Sequence, residues 1–143
     1  MYQEQISDTN LVKDITLSET NKQKLPHNYF LYSTGKRKYY KLTLPENILE
    51  DNFDVRLEFE FEGLNLQVFS GNTLINDYFN IDRKFIMYLR DYRDYIKNDN
   101  TLIIRTAPKT KHGISNVYNE IEIPLNSNRL SLKSAKKVML NTL

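Results

Sequence analysis

The residues best equipped for chemistry fall in one short stretch. Asp77-Tyr78-Phe79-Asn80-Ile81-Asp82-Arg83-Lys84-Phe85 sets aromatic rings among carboxylates, an amide and a guanidinium. This is a toolkit for sugars: a ring face stacks on pyranose C–H groups, while fixed polar groups pair with the hydroxyls. The stretch is therefore read as a candidate carbohydrate site. Tyr78 and Phe85 are its stacking rings, and Asp77, Asn80, Asp82 and Arg83 are its hydroxyl partners. The competing reading is that the rings fill the core and the polar groups only turn the chain. Asp77, Asp82 and Asp99 are also loose candidates for a structural Ca²⁺; no other cofactor is expected.

Other chemistries find little support. Glu58/Glu60 and Glu120/Glu122 are paired carboxylates, but i and i+2 on a strand share one face and read as a solubilising edge. A general acid needs burial or a charged neighbour to raise its pKa, and nothing local provides either. There is no Gly-x-Ser-x-Gly elbow, no phosphate-cradling glycine loop and no His-Glu-x-x-His. The two histidines, His27 and His112, lie in loop-like sequence, and the chain has no cysteine, which excludes disulfides and thiolate zinc sites. No catalytic residue is expected.

Lys36-Arg37-Lys38 followed by Tyr39-Tyr40-Lys41 mixes cations with rings, as single-strand binders do. However, adjacent strand residues point to opposite faces, which spoils a stacking platform. The stretch from Glu46 to Glu62 then reverses the sign of the field, so the run reads as solvated charge. With 20 basic and 18 acidic residues the formal charge is +2, which implies no net pull toward nucleic acid or a membrane. No stretch approaches the roughly 18 apolar residues of a membrane span. Met1-Tyr2-Gln3-Glu4-Gln5 lacks the basic and apolar regions of a signal peptide, so a cytoplasmic location is expected.

The elements that must position these residues follow from length and periodicity. A chain of 143 residues is one domain's worth. Residues 1–27 are polar, and Leu11, Val12, Ile15 and Leu17 show no sustained period. They are expected to form a linker or loosely docked arm ahead of a domain over 28–143. Beyond residue 28 the period becomes two. Val55, Leu57, Phe59 and Phe61 alternate with Asp54, Arg56, Glu58 and Glu60, placing apolar groups inward and charges outward, as in a half-buried antiparallel strand. Residues 39–44, 64–69, 74–79, 102–106 and 117–125 read as further strands, with a turn at Ser70-Gly71-Asn72. Seven or eight such strands point to an all-β sandwich or barrel. Residues 85–96 suit a short helix about as well as a strand and loop. In residues 130–143 Ala135, Val138 and Met139 have helical spacing, yet a last strand over 138–143 would complete a sandwich.

Several of these motifs occur together in a known order. Leu42-Thr43-Leu44-Pro45 precedes the ladder of residues 54–61. Asp77-Tyr78-Phe79-Asn80 then precedes Leu89, Arg90 and Tyr92, and Leu102-Ile103-Ile104-Arg105-Thr106-Ala107-Pro108 follows. In this order residues 41–123 resemble the β-sandwich accessory domain near the C-terminus of bacterial β-galactosidase-type glycoside hydrolases, family 35 and relatives. That family has Asn-Gly where this chain has Gly71-Asn72, a tryptophan in place of Phe85, and a Gly-Thr-Pro-like approach in place of residues 81–84. The resemblance implies a galactose-binding-like jelly roll of about eight antiparallel strands, with residues 85–89 as a strand and 92–96 as a turn. It also implies a non-catalytic accessory module that binds carbohydrate or, alternatively, packs against a catalytic domain without binding sugar. The partners so implied are a glycan or a catalytic glycosidase domain, since the family's catalytic carboxylates lie in a separate (β/α) barrel.

Overall fold

Apolar residues at every second position bury one face of a strand, and two such faces close a core. The computed structural model describes residues 5–25, 36–49, 52–110 and 123–140. Among them are nine strands: β1 (Gln5–Asn10), β2 (Thr16–Thr20), β3 (Lys38–Thr43), β4 (Phe53–Glu62), β5 (Asn65–Ser70), β6 (Thr73–Phe79), β7 (Lys84–Tyr88), β8 (Thr101–Ala107) and β9 (Arg129–Met139). They form two antiparallel sheets, ordered β1-β9-β4-β7 and β2-β3-β8-β5-β6, packed face to face as an all-β sandwich. Val55, Leu57, Phe59 and Phe61 of β4 are fully buried. They meet Leu42, Leu66, Val68, Leu102 and Ile104 of the opposite sheet, all equally buried. A side chain of this size removed from water stabilises the fold by roughly 1.5–3 kcal/mol.

The β5–β6 hairpin closes through a two-residue turn, Ser70 pairing with Thr73. Gly71 takes a φ of 56° there, a conformation that glycine adopts without the Cβ clash of other residues.

Residues 5–20 fall in the stretch expected as a linker or arm, and they add an edge strand to each sheet. β1 pairs with β9 and β2 pairs with β3. Between them a 3-10 turn over Val12–Asp14 carries the chain across, and Ile15 drops into the core at 6% exposure. Each segment is short and lies at a sheet edge, and neither carries an apolar ladder in its sequence.

Residues 130–143 resolve as strand, not helix: β9 runs from Arg129 to Met139. Glu58 pairs with Ser134 while its neighbour Phe59 pairs with Leu132, leaving Lys133 as the extra residue of a bulge. The bulge shifts the inward phase, so Leu130 and Leu132 are followed by Ala135. Beyond the bulge Ala135 and Met139 share one phase while Val138 is buried on the opposite face beside Asp54, and apolar residues on both faces give the helix-like spacing. Of the strand expected over 117–125, residues 117–122 lie outside the described residues, and Ile123 is buried in a non-strand segment.

β7 leads into a 3-10 turn (Leu89–Tyr92) and then a single helical turn, α1 (Arg93–Ile96). This corrects the expectation of an outward, solvated Asp54. It does face away from the core, but the 3-10 turn covers it, leaving it 2% exposed. Its Oδ1 accepts the Arg90 N–H at 2.9 Å and the Val55 N–H at 2.7 Å. It thus caps a helical turn whose own N-cap, Tyr88, supplies no side-chain bond. Arg90 fastens the same turn by donating from Nε to the Phe53 carbonyl at 3.1 Å.

Burial pushes the Asp54 carboxyl above its ordinary range, against the two backbone N–H groups that hold it down. A raised pKa in the folded state means that the native protein binds the proton more tightly than the unfolded chain. The stability it contributes is complete below the ordinary carboxylate range and declines as pH rises through the raised value. Denaturant midpoints from about pH 3 to 7 should therefore fall for the wild type relative to Asp54→Asn as pH rises. Parallel profiles would refute this assignment.

Candidate functional site

Antiparallel registers bring one set of chain reversals to one end of the sandwich. Here β2, β4, β6 and β8 finish while β3, β5, β7 and β9 begin, as the pairs Thr20–Tyr39, Glu62–Arg129, Asn65–Phe79 and Asn65–Ala107 show. Two tight crossovers between the sheets lie here, Gly63-Leu64 between β4 and β5 and residues 80–83 between β6 and β7. A Cβ on Gly63 would stand 2.5 Å from the Phe61 ring and 3.0 Å from the Ala107 carbonyl, so only glycine fits without displacement.

The six residues singled out from the sequence lie near this end but do not form one constellation. Asn80 is fully buried. Its Nδ2 donates to the Phe61 carbonyl at 2.8 Å and the Gly63 carbonyl at 2.9 Å, and its Oδ1 accepts the Arg83 N–H at 2.8 Å. The amide ties one crossover to the other and presents no group to a ligand. Phe85 is a core residue at 2% exposure, its ring 5.7 Å from Phe59 and 5.1 Å from Tyr78. That burial corrects its expected role as a stacking platform: period-two alternation after Lys84 turns the ring inward.

Tyr78 is half-buried against Phe85. Its hydroxyl bonds the Lys84 carbonyl and lies 3.3 Å from the Asp82 carboxylate. Burial pushes its phenol pKa up. Asp77 projects from the other face of the sheet, where it accepts the Asn65 amide at 2.9 Å. Asp82 and Arg83 remain exposed on the crossover; Arg83 has a φ of 65°, and its carbonyl accepts the Phe61 N–H at 3.0 Å. Asp99 lies at the opposite end, where its Oδ1 accepts the Thr101 N–H at 3.0 Å. Among the described residues no three His, Cys, Asp or Glu side chains are grouped to hold a metal ion.

Two features escaped sequence reasoning. The first is a row across the outer face of the five-stranded sheet, set by the pairs Tyr39–Arg105, Arg105–Gln67 and Gln67–Asp77. Arg105 donates from Nε at 3.1 Å and from Nη2 at 2.7 Å to the Gln67 Oε1, with its guanidinium 5.1 Å above the Phe69 ring. Burial pushes the Arg105 pKa down, opposed by the Tyr39 hydroxyl. Leu25, Tyr39 and Phe69 cluster on this face with Leu74 and Ile103. The only sequence signal was a polar residue at an outward position inside each apolar strand.

The second feature is a groove of about 900 Å³ at the loop end. Thr20 and Lys22 line it after β2, and Lys36, Arg37 and Lys38 line it at the start of β3. Asn126 and Asn128 complete it from the segment before β9. Asn128 is 8% exposed, and its Nδ2 donates to the Lys36 and Thr106 carbonyls at 3.2 and 3.3 Å. Its Oδ1 is buried without a hydrogen-bond partner. A smaller cavity, about 550 Å³, lies at the opposite end between residues 44–49 and α1. No family model, curated protein or solved structure matches the chain.

Proposed function

We propose that this chain is a non-catalytic, carbohydrate-binding accessory module of a glycoside hydrolase, folded as a galactose-binding-like jelly roll. The observation that carries this reading is the groove at the loop end. It is a concave site lined by amide, hydroxyl and ammonium groups, a chemistry suited to a polyhydroxylated ligand. The resemblance of residues 41–123 to the β-galactosidase accessory sandwich supplies the enzymatic context. With Asn80 and Phe85 turned inward, the groups offered to a sugar are those of the groove, with Asp82 and Arg83 on the neighbouring crossover.

Titrating millimolar galacto-oligosaccharides into the isotopically labelled chain tests the proposal. Amide shifts are expected at residues 19–22, 36–38 and 126–128. Absence of both heat and shifts would sink it. A second reading, a structural module that packs against a catalytic domain, draws on Ile81 and Leu125, which are 74% and 54% exposed in loops of this same end. A silent titration would favour that reading.

A further inference from the structure

We infer that the groove selects an anionic saccharide, one carrying a carboxylate or sulfate beside free hydroxyls. This rests on the carbohydrate-binding reading and names the ligand class. Among the described residues four cationic side chains, Lys22, Lys36, Arg37 and Lys38, line the groove against one carboxylate, Glu19. Lys22, Lys36 and Lys38 have no ion pair among the described residues. Like charges gathered in a concave site repel one another and create a positive potential that an anion relieves. A neutral sugar leaves that potential unanswered.

Asn128 supplies the second half of the argument. Two carbonyl oxygens receive its Nδ2, which fixes the orientation of the amide. The remaining Oδ1 can only accept, and it is buried without a donor in a residue that lines the groove. An ionised sulfate, phosphate or carboxylate has no proton to give it; a sugar hydroxyl does. The groove thus sets positive charge beside a buried acceptor that only a proton donor satisfies. A nucleic acid fits less well. Among the described residues Tyr39 is the only ring in the groove lining and is 7% exposed, so they offer bases little surface to stack on.

The test titrates the chain with trigalacturonate and with its methyl ester, which keeps the sugar backbone and loses the charge. A dodecadeoxynucleotide and sodium sulfate are the other arms. Trigalacturonate should bind, weaken with added salt, and exceed its ester by about tenfold. Lys22→Glu combined with Lys36→Glu should weaken trigalacturonate binding at least about tenfold. Both side chains are exposed, and Asn128 uses only the Lys36 backbone carbonyl, so the melting temperature should hold.

Equal binding of acid and ester would overturn the inference and leave the carbohydrate reading standing. Trigalacturonate binding indifferent to the double variant would also overturn it, by placing the ligand elsewhere. Binding of only the oligonucleotide or only sulfate would overturn both readings, as would no binding at all.

Discussion

Replacing Asn80 with aspartate is expected to destabilise the protein by about 4 kcal/mol at neutral pH, the sum of several lost or reversed buried hydrogen bonds. The substitution changes almost no volume, so packing is not the cause. Nδ2 lies 2.8–2.9 Å from the Phe61 and Gly63 carbonyls. An oxygen in its place sets a buried negative charge against two carbonyl dipoles, with no water to screen it. Only the bond from the Arg83 N–H to Oδ1 survives. Protonation returns one donor, so the deficit should shrink as pH falls. Ile81→Ser, on the exposed neighbour, should change stability by less than about 0.5 kcal/mol. Urea denaturation of the two variants measures both. An Asn80→Asp midpoint equal to that of the wild type would show that the amide does not fasten the crossovers.

The second large effect belongs to the sheet's outer face. Gln67→Leu removes the acceptor of two Arg105 donors and leaves the guanidinium at 7% exposure over an aromatic ring. A loss of about 3 kcal/mol is expected, most of it the cost of a buried cation without its acceptor. Adding Arg105→Met removes that cation and fills similar space. The double variant should recover to within about 1 kcal/mol of the wild type, although each change alone deletes the same contact. A double variant no more stable than Gln67→Leu would show that the two residues act independently.

How legible all this was depends on the physics of each element. The ladder of β4 was plain because its inward residues are large, apolar and uninterrupted by a bulge. The ladder of β9 was obscured by one residue, Lys133, whose insertion breaks the period of two without breaking the strand. β1 and β2 were invisible because each is a short edge strand with no apolar ladder in its sequence. In the candidate site, composition pointed to residues 77–85, which lie near the loop end but are not among the residues that line the groove. Composition could not say which side of the backbone each residue occupies. Asn80 and Phe85 face inward because a crossover needs its carbonyls satisfied and a strand needs an inward ring. The groove was harder still. Its walls come from residues 19–22, 36–39 and 126–128, joined only by sheet register, and the Lys36-Arg37-Lys38 run looked like ordinary solvated charge until Asn128 stood beside it.

The pairing of β1 with β9 sets Gln5 opposite Met139, which in turn pairs with Phe53 at the start of β4. The chain therefore enters and leaves the sandwich side by side, at the pole remote from the groove. Chain continuing before Gln5 or beyond Met139 sets out from that pole. A connection made through the start of β1 or the end of β9 therefore leaves the groove uncovered.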